Sequence, residues 1–391
     1  MRDGKALCSL CESVPDESVV MSIDVEFELA NARTEGHFRQ MLQENALAGS
    51  INVLLTREPN AFHAAEISGD VYELMLAYQR DTRQLLGGGA RFEFDAYVNG
   101  EVGRIGYLGE LRVQGGLKQR RSLLLNAYRA MRRQHEKGSV PCYITTIISD
   151  NTSTRRLLEA GLSDMPTYRP LETLVTLTIP VRQAARGATP GIPVEQCSDD
   201  RVEALVLRLQ SSGRNFQFYP AWTAENLRSG QRCRGIRPED FFAIRDDAGI
   251  RGACCLWDQR AFKQTVVAGY SERLTRVRPF FNLVAPLLRQ PRLPPSGQNI
   301  QSAFLSHISV EQGDEDALLA LIRTAARQAA TRGIDYLMLG LAERNPFNQF
   351  LQKHFSCHRY ESMIYLVYWD DGREYASTID ERIPHPEVAI L

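Results

Sequence analysis

Apolar and polar positions alternate or recur at helical spacing in an order that appears twice along the chain. Each copy contains a strand pattern, a helix pattern, a second strand pattern and a short helix that begins at an asparagine. The first copy covers 103–113, 122–134, 142–148 and a helix from Asn151, and the second covers 301–310, 317–330, 336–341 and a helix from Asn345. The spacing is regular, since 310 minus 113 is 197 and 345 minus 151 is 194. A period this long indicates two similar domains in tandem, because solenoid repeats run at roughly 20 to 50 residues.

Further elements are predicted around each copy of the pattern. Strand patterns cover 25–30, 51–55, 73–78, 91–98, 174–179, 241–244, 252–257 and 363–369, and helix patterns cover 34–47 and 200–210. Asn99-Gly100 is a two-residue hairpin signal that leads into the strand of 103–113. The predicted fold class is mixed α/β (α+β). Each half has antiparallel hairpins first and a strand-helix-strand unit later.

Chain length and composition suggest where the two domains end. A first domain over 22–180 and a second over 192–372 are expected, because 391 residues exceed the size at which single cores usually divide. The stretch 181–191 contains Ala, Gly and Pro and is the best linker candidate. Residues 1–21 are interpreted as a loose extension, with Met21 as an alternative start, and 373–391 as a surface tail.

Composition and charge exclude several classes of protein. Apolar residues make up 43 % and charged residues 24 %, which is ordinary for a globular protein with ample material for two cores. The net charge of -1 gives no overall attraction to nucleic acid or to a membrane, so any anion site must be local. Without a long apolar run or a signal peptide, a cytoplasmic location is expected.

Cysteine usage fits a reducing compartment with buried thiols. The eight cysteines are scattered, and Cys8 and Cys11 form a lone C-x-x-C pair without further spaced ligands. A zinc site there would lack half of its ligands, so no metal is expected.

The two copies differ in the loop that precedes the first repeated helix. In the first copy, the loop 114–121 contains two glycines and three cations, Lys118, Arg120 and Arg121, and no acid. A helix N-terminus offers unsatisfied amides and partial positive charge, so such a loop suits a phosphate or a pyrophosphate. The alternative is a solvated basic turn. In the second copy the loop 311–316 has four acids, which would repel a phosphate and which suit helix capping.

The order of elements, the basic glycine loop and the helix that begins at Asn151 resemble the GNAT N-acetyltransferase superfamily. The segments that carry this likeness are Leu111-Arg-Val, 143–151 and 165–171. The chain is most similar to a tandem GNAT type whose second domain is degenerate and has lost the pyrophosphate loop.

This resemblance implies acetyl-CoA as the co-substrate, held where the fourth strand of the domain diverges from the next strand. The residues implied in cofactor binding are Leu111, Arg112, Val113, Gly115, Gly116, Lys118, Gln119, Arg120, Arg121, Ser122 and Asn151. The loop departs from the family pattern R/Q-x-x-G-x-G/A, because Arg121 and Leu123 stand where the pattern has small residues. Amide donors do not depend on side-chain identity, so the implied binding mode survives this departure.

Two residues are candidates for the chemistry of acetyl transfer. Glu110 stands where GNAT enzymes often carry the carboxylate that accepts the amine proton, with an ordinary polar strand residue as the alternative. Leu158 replaces the family's tyrosine acid, and Tyr168 is the nearest substitute, although a packed aromatic is the more common role for such a residue. His307 occupies the position of Glu110 in the second copy and is interpreted as a core histidine.

The resulting hypothesis is an acetyl-CoA-dependent N-acetyltransferase that acts on a small-molecule or peptide amine. The second domain would shape the acceptor site or the interface of a homodimer. One alternative is an aminoacyl or peptidyl transferase of the Fem type, and another is a non-catalytic acyl-CoA-binding or scaffold protein. Partners made of nucleic acid or membrane are not expected.

Overall fold

The computed structural model describes residues 24–47, 49–114, 117–138, 140–288 and 290–391, without the side chains of 117–120. Residues 1–21, and with them Cys8, Cys11 and Met21, lie outside the described residues, as do Gly115 and Gly116. The predicted extension and the lone cysteine pair are therefore not addressed by the structure. Six other cysteines are free thiols, and all except Cys357 are buried, as expected from their scattered positions.

Both halves of the chain contain strands and helices. The strands are β1 (Val25–Leu29), β2 (Ile51–Thr56), β3 (Val71–Gln79), β4 (Leu85–Val98), β5 (Glu101–Val113), β6 (Tyr143–Ile148), β7 (Thr167–Pro180), β8 (Glu195–Gln196), β9 (Phe241–Asp246), β10 (Gly249–Trp257), β11 (Gln264–Tyr270), β12 (Ser302–Ser309), β13 (Tyr336–Ala342) and β14 (His358–Tyr368). The helices are α1 (Glu35–Glu44), α2 (Ala61–Ser68), α3 (Leu117–His135), α4 (Thr152–Glu159), α5 (Val181–Ala184), α6 (Val202–Gly213), α7 (Ala224–Ser229), α8 (Glu272–Val284), α9 (Glu315–Thr331), α10 (Pro346–His354) and α11 (Arg373–Thr378).

Twelve of the strands form one mixed sheet that runs through both halves. Its order is β1-β3-β4-β5-β6-β14-β7-β13-β12-β10-β9-β8, while β2 and β11 form a separate two-stranded ribbon. Most pairs are antiparallel, and β5–β6 and β12–β13 are parallel. The mixed α/β architecture expected from the repeat is confirmed. Asn99-Gly100 joins β4 to β5, and both residues have positive φ, as this hairpin turn requires.

The two halves exchange their last strands. β14, from the C-terminal half, pairs with β6 and β7 of the N-terminal half, and β7 in turn pairs with β13 of the C-terminal half. Each repeated strand-helix-strand unit is therefore completed by a strand from the other half. The predicted domain ranges of 22–180 and 192–372 stay a sequence-based division, and the sheet itself crosses that division.

The ends of the predicted domains are packed against the core rather than loose. Val181 and Ala184, in the stretch interpreted as a linker, are buried in the core cluster around α9. The expectation of a surface tail over 373–391 is wrong, because His385, Glu387, Ala389 and Ile390 are all buried. Glu387 accepts from the His307 N–H, the Ala389 carbonyl accepts from Gln259 and Lys263, and Ile390 packs in the core of the C-terminal half, which outweighs the usual tendency of termini to fray.

The acidic loop of the second copy caps the following helix, as predicted. Asp314 is the N-cap of α9, and its carboxylate accepts a hydrogen bond from the Ala317 backbone N–H at 3.1 Å. Replacing Asp314 with alanine should lower the free energy of unfolding by about 1 kcal/mol, whereas Asp314→Asn keeps an acceptor and should be nearly neutral. Urea unfolding midpoints of the two variants check this, and equal losses would contradict a capping role.

Candidate functional site

Strands β5 and β6 diverge in the middle of the sheet. In the described part of the chain they pair at Gly106–Tyr143 and Tyr107–Ile144, and the parallel pairing stops there. Just beyond, the Thr145 hydroxyl donates to the Leu108 carbonyl at 2.6 Å, so a side chain takes the place of a strand partner. From Gly109 to Val113, β5 has no pairing with β6, and this edge could accept an extended ligand.

A β-bulge places Glu110 at this opening. On β4 and β5, Gly88 pairs with Arg112 and Ala90 with Gly109, so that two residues of β5 oppose one of β4. Glu110 lies inside the bulge with φ 56°, a conformation that is uncommon for a residue with a side chain. In a regular strand, side chains alternate between the two faces of the sheet, and the bulge changes the direction of the Glu110 side chain from that pattern. Bulges at such positions are often found beside functional sites.

Two arginines hold the Glu110 carboxylate in its charged form. Arg57, which follows β2 and is almost fully buried, donates to one oxygen of Glu110, and Arg112 Nη2 lies 3.9 Å from the other. Burial opposes ionisation, but the charges of Arg57 and Arg112 outweigh it and keep the pKa of the Glu110 carboxyl below its usual value. Glu110 is thus an anion at neutral pH.

Lys263, from the loop before β11, completes this cluster of charges. Its Nζ donates to the Ala389 carbonyl at 3.0 Å and to a main-chain oxygen of Leu391, the last residue of the sequence, at 3.1 Å. Burial, together with the charge of Arg57, lowers the pKa of Lys263 to about 7, although Glu110 acts in the opposite direction. A pKa near 7 lets this side chain exchange a proton at physiological pH, and its N–H groups donate to the two main-chain oxygens in either form.

A small cavity lies between these groups. Its volume is about 20 Å³, and its polar lining comes from Arg57, Tyr107, Glu110 and Lys263. That volume is roughly enough for a single water molecule. Alanines of α2 and the side chain of Phe92 close its apolar side. Ser68 and Leu391 also line this partly open cavity, which connects Glu110 and Lys263.

A larger groove lies on the other side of the β2–β11 ribbon. Thr56 pairs with Gln264 across the ribbon, and both residues line a groove of about 480 Å³. Their sequence neighbours Arg57 and Lys263 line the small cavity instead. Glu58, Arg260 and Asn299 give the groove a polar lining. Its volume is that of a small-molecule site, and it draws residues from both halves.

The basic loop of the sequence analysis is in part the first turn of α3. This helix begins at Leu117, not at Ser122 as predicted, so Lys118, Gln119, Arg120 and Arg121 belong to the helix. The unsatisfied amides at its N-terminus are therefore those of the residues from Leu117 on. Arg121 and Ser122 are exposed, and Leu111, Arg112 and Val113 form the end of the diverging strand β5.

The other predicted residues lie on the α3 and α4 side of the sheet. Asn151 is the N-cap of α4, as predicted, and accepts from the Thr154 N–H at 3.3 Å. Tyr168 is buried, and its hydroxyl is hydrogen-bonded to the hydroxyl of Tyr128. Burial, with Tyr128 beside it, raises the pKa of Tyr168 well above its usual value. This environment is typical of a packed aromatic, and the role of Tyr168 as an acid stays a prediction.

The sequence reading missed Arg57 and Lys263. Each is a single basic residue with no motif around it, and they meet only because β2 and β11 pair across more than 200 residues of chain. One sequence signal pointed toward Lys263. The apolar segment Val388-Ala-Ile-Leu391 predicts burial, and its main-chain oxygens then need donors such as Lys263.

Comparison with known proteins identifies the fold. No family model matches the sequence, and no curated protein matches it. Among solved structures, the N-myristoyltransferase of Saccharomyces cerevisiae with bound myristoyl-CoA matches with a TM-score of 0.58 at 11 % identity, over 92 % of this chain and 81 % of that chain. A second structure of that enzyme, also with myristoyl-CoA, gives 0.55 at 12 % identity, over 89 % of this chain and 83 % of that chain.

The chain has a tandem GNAT-like fold. A GCN5-related N-acetyltransferase from Sphaerobacter thermophilus also matches, with a TM-score of 0.46 at 15 % identity over 75 % of this chain and 79 % of that chain.

In the second GNAT-like unit, the chain's own C-terminal segment fills the opening between the diverging strands. β12 and β13 pair over three residues and then separate. The His307 N–H donates to Glu387 at 2.8 Å from one strand, and Val388 packs on Gly340 of the other, where an added Cβ would lie 2.7 Å from it. The second unit therefore has no room there for a ligand.

His307 confirms the repeat and its own interpretation as a core residue. It lies 197 residues after Glu110 (307 minus 110), in the corresponding bulge, and its φ is 52°. It is fully buried and stacked on Trp222 at 4.2 Å, and burial lowers its pKa to about 3. The nearby aromatic residues Phe216, Phe218 and Tyr219 are buried as well, so they belong to the core around His307.

Two further findings limit the kinds of site in the GNAT-like chain. Among the residues that the structure describes, no group of three or more histidine, cysteine or carboxylate side chains could hold a metal ion. The described helices include none that is long and apolar enough to cross a bilayer.

Proposed function

We propose that this protein is an acyl-CoA-dependent N-acyltransferase that transfers an acetyl group to the amine of a small molecule or peptide. The observation that carries the proposal is the opening between β5 and β6, which has a helix N-terminus at one end and the Glu110–Lys263 cluster at the other. The corresponding opening of the second half is filled by residues 387–390. One donor site per chain follows from this asymmetry.

The donor would bind along the edge of β5. The amides at the start of α3 suit its pyrophosphate, because they carry partial positive charge and have no partner within the helix. The sequence adds Lys118, Arg120 and Arg121 at this end. The pantetheine amides would pair with the backbone of Leu111 and Val113 as an additional strand does. The thioester would then lie near the bulge at Glu110.

The acceptor would enter through the groove of about 480 Å³ on the β2–β11 ribbon. Its neutral amine nitrogen attacks the thioester carbonyl carbon, a C–N bond forms and the C–S bond breaks. The amine must lose a proton, and CoA leaves as a thiolate that takes one up. We infer that the amine proton passes through the small cavity to Nζ of Lys263, since Glu110 and Lys263 both line that cavity and the pKa of Lys263 is closer to neutral pH than that of Glu110.

Glu110 then acts mainly through its charge. Its carboxylate lies beside the proton path and stabilises positive charge on the attacking amine and on Lys263. Replacing Glu110 with glutamine should therefore shift the acidic limb of the kcat pH profile to lower pH, because loss of the anion lowers the pKa of Lys263 further. The control is Glu101→Gln, an exposed residue on the same strand. Loss of the limb instead of its shift would make Glu110 the base, as the sequence suggested.

The reaction itself is tested by release of CoA thiol in the presence of amines. Acetyl-CoA, a medium-chain acyl-CoA and myristoyl-CoA are compared with a panel of small amines and peptides. Amine-dependent thiol release with acetyl-CoA as the best donor is expected. Preference for a longer donor would keep the acyltransferase and refute the acetyl donor. Binding without thiol release from any pair would support the non-catalytic alternative.

A further inference from the structure

One segment of the surface differs in charge from the rest of the protein. From Arg273 to Val310 the sequence contains five arginines and no aspartate or glutamate, although the whole chain has a net charge of -1. This stretch covers α8 except for its first residue, the loop that follows and β12, and all five arginines lie before β12. A block of one sign in an otherwise balanced chain indicates an interaction with an anionic partner.

Helix α8 also presents large apolar side chains to solvent. None of its residues is buried. In the described chain, five of the ten exposed large apolar side chains lie on or just after this helix: Val277 at 48 %, Phe280 at 70 %, Leu283 at 73 %, Leu287 at 84 % and Leu288 at 60 % exposure. Soluble proteins seldom gather such side chains at one place without a partner that covers them.

The helix is attached by one side and leaves the other side uncovered. Arg278 Nε and Asn282 Nδ2 donate to the Leu293 carbonyl at 3.2 and 3.0 Å, and the Arg278 guanidinium lies over the ring of Tyr270. At 100° per residue, Phe280 and Leu283 point away from these two residues.

The exposed arginines share this outer side with the apolar residues. Arg273 and Arg276 are both exposed, and each lies four residues before an apolar side chain of the outer face, at 277 and 280. Residues four apart on a helix lie on the same side. The acid of this helix, Glu272, is itself almost fully exposed and lies 3.9 Å from Arg276. The outer face is therefore an apolar stripe with cations beside it.

We propose that this face of α8 docks on an anionic membrane surface. The apolar side chains would enter the region between headgroups and acyl chains, and the arginines would bind lipid phosphates and carboxylates. A second copy of the chain fits less well, because it would bring further arginines to the interface and the stretch offers no acid to neutralise them. Nucleic acid does not explain five exposed apolar side chains. The local charge revises the expectation, drawn from the net charge, that no membrane is a partner.

Sedimentation of the full chain with lipid vesicles tests this proposal. Vesicles of phosphatidylcholine with about 30 mol % phosphatidylserine are compared with phosphatidylcholine alone, at low and high salt. Binding should be at least about tenfold stronger on the anionic vesicles and should weaken as salt is raised. The double variants Phe280→Glu/Leu283→Glu and Arg273→Glu/Arg276→Glu should each reduce it about tenfold or more.

The matched control is Leu207→Glu, which changes a leucine of 67 % exposure on α6 and should leave binding unchanged. All substituted side chains are exposed, so the variants should keep the wild-type circular dichroism. Equal binding to both vesicle types, or unchanged binding of Phe280→Glu/Leu283→Glu, would overturn the proposal. Absence of vesicle binding together with self-association that this double variant abolishes would identify a second copy as the partner. These outcomes do not depend on acyl transfer.

Discussion

Replacing Lys263 with methionine should lower kcat for acyl transfer by about 10²- to 10⁴-fold, the usual contribution of a general base. The wild-type kcat should rise with pH through about 7, as Lys263 loses its proton, and the variant should lack this limb. Methionine keeps the length of the side chain but can neither accept a proton nor donate to the main-chain oxygens of Ala389 and Leu391.

A second variant separates chemistry from structure at this position. Lys263→Arg keeps hydrogen-bond donors but stays protonated at all working pH values, so it should be as inactive as the methionine variant. The control is Lys353→Met at an exposed position of α10, which should leave kcat unchanged. A Lys263→Arg enzyme with an intact rate and pH limb would remove Lys263 from the proton path.

The largest expected effect on stability comes from Arg57. Its guanidinium is the main partner of the Glu110 carboxylate, and it also donates to the Thr56 carbonyl at 3.0 Å. Arg57→Met leaves a buried carboxylate without that partner, and such losses cost about 3 to 5 kcal/mol. Urea unfolding followed by the fluorescence of the buried tryptophans measures this loss.

The destabilisation by Arg57→Met should shrink at low pH. In the wild type, the pKa of Glu110 is lowered on folding, so its stabilising effect is present above the unfolded value and lost as pH falls through the folded value. In the variant the pKa of Glu110 should rise, and protonation then relieves the unpaired charge. The double variant Arg57→Met/Glu110→Gln should recover part of the loss at neutral pH. A loss that is independent of pH and unchanged by Glu110→Gln would show that the ion pair is not its cause.

Local patterns predicted the elements that depend on local chemistry. Alternation along 103–113, the hairpin at Asn99-Gly100 and the acidic cap of the second repeated helix all depend on residues close in sequence, and all are confirmed. The spacing between Glu110 and His307 also gave the correct correspondence between the two halves, because the bulges recur with the fold.

Non-local pairing explains what the sequence did not reveal. Nothing in the pattern of Leu174–Ile179 says that its partners are β13 and β14, since any neighbouring strand would satisfy the same alternation. The roles of Arg57 and Lys263 depend on the pairing of β2 with β11. The burial of the C-terminal segment 384–391 depends on the opening between β12 and β13. The start of α3 at Leu117 was missed because the basic residues 118–121 oppose the helix dipole and favour a loop in a local reading.

The stoichiometry of acyl-CoA binding tests the central claim most directly. Isothermal titration of the full chain with acetyl-CoA should give one site per chain. Arg120→Ala/Arg121→Ala should weaken binding at least several-fold, and Glu311→Ala/Asp316→Ala, in the corresponding acidic loop, should leave it unchanged. Two equivalent sites, no binding, or a loss caused by the acidic-loop variant alone would contradict the assignment of donor binding to the opening beside Glu110.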